Sequence, residues 1–260
     1  MEEIHIFNKE GREIVSVSSW KSLAPPQSPE GHWQKWLSAF EFANSWFRNG
    51  VAEVPQPLRE FFNRNELTRD ISLKKIIAEK PIWIDEVRKG NTRNNDMLIF
   101  GYNTSKIPIV LGVEAKAKEE FGPIVGKYFD NNRKNPASKI PQRICRLSKS
   151  LFGRNLDKQV RSLRYQLLHA TAGTLIEAKI LKAKYAIFLV YQFNTPLVKQ
   201  SDINRNRREL NKFIQLLAKD ESIEINPGEL YGPFEIPGGG YVPKYDRLFI
   251  GKVVENIAMR

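Results

Sequence analysis

Asn94–Gly122, NNDMLIFGYNTSKIPIVLGVEAKAKEEFG, decides the fold of this 260-residue chain. Two short apolar runs, Met97–Phe100 and Ile107–Val113, flank Gly101–Lys106, which is rich in Gly, Asn, Ser and Thr. Strand-length apolar runs around turn-forming residues predict a β-hairpin. Asp96 enters its first strand, and Glu114 and Lys116 end its second. Residues two apart on a strand share a face. Glu114 and Lys116 therefore project together, with Ala115 on the other side. A neighbouring strand about 4.8 Å away brings Asp96 onto their face.

Two carboxylates so placed suit a hard divalent cation, Mg²⁺ or Mn²⁺, which takes oxygen ligands and keeps several waters. A lysine beside them orients or deprotonates a water and stabilises charge developing on a phosphorus centre. The expected chemistry is phosphodiester hydrolysis. Glu-x-Lys alone is weak, because the chain holds a second copy, Glu177-Ala178-Lys179. That copy lies in a helical pattern, where positions two apart diverge by about 200°.

The arrangement resembles the PD-(D/E)XK nuclease superfamily, the restriction-endonuclease-like fold. Seventeen residues separate Asp96 from Glu114, and Asn95 stands where the superfamily's name has proline. A closer resemblance covers Lys80–Phe193. RNNDMLIFG, VEAKAKEEFG, RYQLLHATAGTLIEA and AIFLVYQF follow the order of an uncharacterised bacterial family with VExKxxExFG and YQLLHxxA blocks and a nuclease-like core.

The resemblance implies a mixed β-sheet flanked by helices, with residues 1–65 as an N-terminal helical elaboration packed on a core of residues 66–260. It implies metal ligation by Asp96, Glu114, the Ala115 carbonyl and an acid ahead of the first core strand. Glu79, on an expected helix, is the first choice for that acid, with Asp85 and Glu86 as rivals. Glu119 or Glu120 would complete the metal shell or cap the following turn. Gln166 would orient a phosphate or a metal-bound water, and Arg164 would neutralise a phosphate oxygen. His169 is either a general acid or a hydrogen-bonded structural histidine. DNA is preferred to RNA as substrate through the resemblance alone.

Composition agrees with a polyanionic partner. Lys plus Arg number 41 against 29 for Asp plus Glu, a net charge of +12. The excess clusters in 131–164, whose single acid is Asp157, and again in 199–212. Lys139, Arg143, Arg146, Arg205, Arg207 and Arg208 are the candidate phosphate contacts, since phosphate binding needs clustered cations and no particular sequence. The single cysteine, Cys145, excludes an internal disulfide and a cysteine zinc site. No apolar run reaches the roughly 18 residues of a membrane span. The N-terminus MEEIHIFNKEGREI is unlike a secretory signal. A cytoplasmic protein is expected, and a homodimer would supply two sites for cutting both strands.

Elsewhere periodicity predicts a hairpin over 4–19 and helices over 31–50, 58–63, 70–80, 141–150, 156–184 and 201–219. It predicts strands over 81–87 and 185–193 and a β-rich tail with strands at IEIN and LFIGKVV, the last at the sheet edge. Residues 127–140 read as loop. Gly238–Gly240 lacks the ending of a phosphate loop and reads as a turn. The aromatic stripe of 31–50 reads either as core or as a base-stacking surface. Two further functional readings stay open: a non-catalytic nucleic-acid-binding protein on the same fold, and a protein with another substrate or an acidic protein partner.

Overall fold

The computed structural model describes residues 3–26, 29–84 and 93–259. Among them the chain forms a mixed α/β fold: one eight-stranded mixed sheet with helices on both faces. The order is β1 (Ile6–Phe7), β2 (Glu13–Ile14), α1 (Val17–Leu23), α2 (Pro29–His32), α3 (Ser38–Trp46), α4 (Gln56–Arg64), β3 (Ser72–Ile82), β4 (Arg93–Tyr102), β5 (Pro108–Lys116), α5 (Val125–Arg133), α6 (Ile140–Phe152), α7 (Lys158–Arg161), α8 (Tyr165–Ile180), β6 (Tyr185–Asn194), α9 (Gln200–Ala218), β7 (Leu230–Ile236) and β8 (Tyr245–Asn256). Across the sheet the strands run β2-β1-β3-β4-β5-β6-β8-β7.

The expected hairpin forms as β4 and β5, antiparallel from Tyr102 opposite Pro108 to Met97 opposite Val113. β6 then lies parallel to β5, and β8 parallel to β6. Strands buried on both faces carry near-continuous apolar runs, and Ala186–Phe193 of β6 is buried throughout. One core layer joins α8, α6 and α9 to residues such as Leu98, Val110, Phe188 and Ile250. The other joins α1, α3 and α4 to Ile76, Met97, Leu111 and Leu189. The first sixty-odd residues thus pack under the same sheet that carries the hairpin, and β1 and β2 extend it.

Five expectations give way. Asp70–Lys80 is not a helix: Ser72–Ile82 is one long strand, β3, antiparallel to β4. Ile71, Leu73, Ile76 and Ile77 satisfy a helical stripe, yet Ile76 packs into the α3 side of the sheet with Ala78. The expected 31–50 helix is interrupted: α2 ends at His32, and α3 runs only from Ser38 to Trp46. Trp36 there has φ of 76°, and its N–H donates to the Glu41 carboxylate at 2.8 Å. The expected 156–184 helix divides into α7 and α8, because Leu163 and Arg164 turn to meet the chain after β5. Val125 N–H donates to Leu163 O at 2.9 Å, and Ile124 bridges Arg164. Part of the expected loop 127–140 is helix α5. IEIN is not a strand; β7 takes the sheet edge, and β8 lies inside it. Among the described residues no helix is long and apolar enough to cross a membrane.

Candidate active site

The site begins where the β4–β5 ladder stops. Beyond Met97 the strands part, and the Asp96 carboxylate replaces a backbone acceptor: Ala115 N–H donates to Asp96 Oδ2 at 2.7 Å. This contact ties the first strand to the middle residue of Glu114-Ala115-Lys116. Lys116 Nζ donates to Glu114 Oε1 at 2.7 Å. Gln166 Nε2 donates to the same oxygen. The other oxygen, Oε2, is buried and meets no N–H or hydroxyl donor. When the Glu114 carboxyl holds its proton, it shares a hydrogen bond with Asp96.

Gln166 reaches Glu114 because of how α8 begins. The first N–H groups of a helix have no acceptor within it. Here Tyr165 N–H donates to Pro123 O at 2.9 Å and Gln166 N–H to Phe121 O at 3.2 Å. The turn after Lys116 thus caps α8 and holds its first side chains over the strand ends. Glycine at 112 lets the helix sit this close: a Cβ there would meet Thr174 Oγ1 at 2.1 Å and Asn95 Nδ2 at 2.3 Å.

The electrostatics are those of charges taken out of water. Glu114 is 1% exposed and Lys116 5%. Burial, then the adjacent Asp96 charge, pushes the Glu114 carboxyl up to about 8. Burial also raises Asp96, against the pull of Lys116 and the Ala115 amide. Burial alone would discharge Lys116, but Glu114 and Asp96 overcome it and hold the ammonium above its ordinary range.

Glu79 lines the same cavity, from a strand and not from a helix. Ala78 pairs with Met97 and Lys80 with Asn95, so Glu79 falls opposite Asp96 in register. Its φ of 49° lies in the left-handed region, which bulky residues seldom adopt. Alternation breaks at this pair. Ala78 and Met97 pack on the α3 side. Lys80 and Asn95, two residues away, turn to α8, meeting Glu177 at 4.0 Å and Thr174 at 3.4 Å. Asp85 and Glu86 lie outside the described residues.

The two acids after the motif have structural duties. Glu119 Oε2 accepts from Ala117 N–H at 2.7 Å, and Oε1 from Ser38 N–H at 3.0 Å and Ser38 Oγ at 3.1 Å. Burial would raise Glu119, but these amides and the Lys116 charge hold it below its ordinary value. Glu120 binds Arg164 at 2.5 Å. Arg164 also donates to Glu209 at 2.6 Å and to Gly122 O at 2.9 Å, and it is 8% exposed. The sequence reading gave Arg164 to a phosphate. In the fold its donors fasten α8, α9 and the 120–122 turn together. Arg205 likewise binds Asp202 at 3.0 Å and Lys118 O at 2.6 Å. Lys139, Arg146, Arg207 and Arg208 are exposed and Arg143 is half-buried. All lie on α6 or α9 or at the start of α6, the side of the sheet that carries α8.

The cavity above the cluster measures about 330 Å³. Asp96, Glu114, Ala115, Lys116, Glu79, Gln166 and His169 line it, and Pro26, His32, Ser38 and Ala39 form an N-terminal wall. His169 is 5% exposed, its ring 5.2 Å from that of Tyr165. The wall was not legible in the sequence. It is built by the anchoring of Ser38 on Glu119, a contact 81 positions apart.

A family model for a domain of unknown function (DUF6946) matches residues 13–256. The chain belongs to that family. Neither the curated proteins nor the solved structures include a match. The family match spans the hairpin, α8 and both walls of the cavity, so the whole site lies within the domain.

The donor set fits a hard divalent cation held by two carboxylates and water. Burial raises both carboxyls and the Asp96 charge raises Glu114 further, and a nearby dication would offset both effects. Among the described residues no group of three His, Cys, Asp or Glu side chains is set to hold a metal. Glu79 lines the same cavity opposite Asp96 in register, and Asp96 and Glu114 are the two carboxylates that stand together at its floor.

Proposed function

We propose that this protein is a metal-dependent nuclease of restriction-endonuclease-like fold that acts in the cytoplasm and hydrolyses phosphodiester bonds, with DNA the preferred substrate. One observation carries the reading: at the floor of an open cleft, half-buried Asp96 meets buried Glu114 and Lys116, two carboxyls and an ammonium side by side. A purely structural ion pair gains little from burial, because desolvation offsets the attraction. Two raised carboxyls beside a lysine in a cleft mark a site that handles charge.

Asp96 and Glu114 would hold Mg²⁺ or Mn²⁺, which when bound neutralises phosphate charge and acidifies water. Lys116 keeps its proton and places an ammonium where charge develops on the phosphate oxygens. Gln166 holds Glu114 in a fixed rotamer through Oε1. The exposed cations of α6 and α9, Lys139, Arg146, Arg207 and Arg208 among them, supply the salt-dependent grip on the backbone.

The deciding experiment is cleavage of supercoiled plasmid and single-stranded DNA with Mg²⁺, Mn²⁺ or EDTA, comparing wild type with Glu114→Ala. Metal-dependent nicking that the substitution abolishes is the expected result. Full activity in Glu114→Ala or Lys116→Ala overturns the mechanism. A second reading, a non-catalytic nucleic-acid-binding protein on this fold, draws on Glu114 already being paired by Lys116 and Gln166. Salt-dependent binding in EDTA with no cleavage under any metal would favour it.

A further inference from the structure

The two walls of the cleft differ. α8 contributes Gln166 and His169, whereas the opposite wall belongs to the segment around α2 and the start of α3. Between His32 and Ser38 that segment carries Trp33, Lys35 and Trp36, each at least partly exposed. Lys35 Nζ sits 4.4 Å from the centre of the Trp36 ring. Trp33 meets Phe40 edge-on at 6.1 Å. Trp36 is held in the left-handed region from both sides: its N–H donates to Glu41, and Thr195 Oγ1 donates to its carbonyl at 3.0 Å. A bulky residue in that region is strained, and such strain persists where the surroundings over-determine it. Trp33 also packs in part against the core on the α3 side. The loop that carries both tryptophans and the lysine joins His32 to Ser38 and Ala39, the residues that line the cavity, and its own side chains stand outside that lining.

We infer that the aromatic loop joining the residues of this wall recognises an unpaired nucleotide, so that the substrate class is single-stranded or locally opened nucleic acid. The inference rests on the nuclease reading for the kind of ligand. Size is one argument. Glu114, Ala115 and Lys116 are at most 5% exposed at the bottom of a cavity of about 330 Å³. That volume lies at the small-molecule end of binding pockets. A nucleotide of a flexible strand enters it, whereas a stacked duplex holds its phosphates on the outside of a stiff rod. The aromatic loop is the other argument. Tryptophan faces stack any base without reading sequence, and adjacent cations meet the backbone.

The test measures binding in EDTA, by fluorescence anisotropy, of a labelled single strand, the matching blunt duplex and a duplex with a central unpaired bubble. Wild type should bind the single strand and the bubble about tenfold more tightly than the blunt duplex. Trp33→Ala and Trp36→Gly should each lose about tenfold for the single strand and little for the duplex. Glycine suits the backbone at 36, so this variant removes the ring without added strain; Trp36→Phe should restore most of the affinity. Equal affinity for blunt duplex and single strand, or tryptophan variants that bind the single strand like wild type, overturns the inference. Cleavage of blunt duplex as fast as single strand would overturn it while leaving the nuclease reading intact. Tryptophan-dependent single-strand binding without cleavage under any metal would sustain it and sink the nuclease reading.

Discussion

Lys116 donates to Glu114 at 2.7 Å in a buried pair that becomes an ion pair when the Glu114 carboxyl, raised to about 8, gives up its proton. Removing one member of a buried pair strands the other's charge, at a cost of about 3–5 kcal/mol. Lys116→Ala takes the cation from half-buried Asp96 and, once it ionises, from buried Glu114. It should be the most destabilising change at the site, with a loss of about that size in urea denaturation, alongside loss of cleavage. Glu114→Gln keeps the shape and the contact to Lys116, relieves the repulsion with Asp96, and should cost far less stability while still abolishing activity. Equal destabilisation by the two would contradict this account of the pair.

Stability should depend on pH in an unusual direction. The Glu114 carboxyl titrates near 4.5 when exposed and is pushed up to about 8 in the fold. Between those values the folded chain retains a proton that the unfolded chain has released. Folding stability therefore falls as pH rises through this window, by at most ~1.4 kcal/mol per pH unit from this group. Lys116, held above its ordinary range, stays charged there and adds no slope. Thermal melting in EDTA should show a Tm that declines from pH 5 to about 8. Glu114→Gln should flatten the decline. Added Mg²⁺ should raise the wild-type Tm most at the alkaline end, because a cation that binds only the ionised, folded site stabilises it by mass action. A magnesium-insensitive Tm at that end would count against the donor pair.

The hairpin was legible because its signals are local. Turn residues at Gly101–Lys106 and period-two geometry place Glu114 beside Lys116 without reference to the rest of the chain. β3 was not legible. Its apolar residues serve two faces of a sheet, Ile76 and Ala78 on one and Leu98's partner Ile77 across from them, and such a run matches a helical stripe equally well. The position of Glu79 depends on β3–β4 register, which no local pattern encodes. The duties of Arg164 and Glu119 depend on contacts 44 and 81 positions away, with Glu120 and Ser38. Charge clustering identified the cations of 131–164 but not which of them the fold had already claimed.

Gly112 sets the distance between α8 and β5. A methyl group there would strike the Thr174 hydroxyl of α8 and the Asn95 amide of β4, both buried. Gly112→Ala should cost about 1–3 kcal/mol, the usual penalty of overpacking. Because the same helix holds Gln166 against Glu114, activity should fall even at temperatures where the variant is fully folded. Thr174→Ala in the same chain removes the closer obstacle and should recover part of both losses. Failure of the double variant to recover stability would show that the helix is held off by something other than Thr174.

The arginines divide into two classes that salt separates. Arg164 spends its donors on Glu120, Glu209 and the Gly122 carbonyl. Arg164→Met should cost roughly 1.5–3 kcal/mol, the worth of hydrogen bonds between charged groups. It should lower cleavage by loosening the turn that caps α8, yet leave the salt dependence of nucleic-acid binding unchanged. Lys139, Arg146, Arg207 and Arg208 are exposed, and changing any of them to glutamine should leave the melting temperature within a degree or so of wild type. Each that contacts a phosphate should reduce the slope of log K against log salt by about 0.7 on single strands. Measured across a salt series with wild type and these five variants, a slope change in Arg164→Met with none in the exposed set would reverse the assignment. It would then place the phosphate path along the start of α8 and away from α6 and α9.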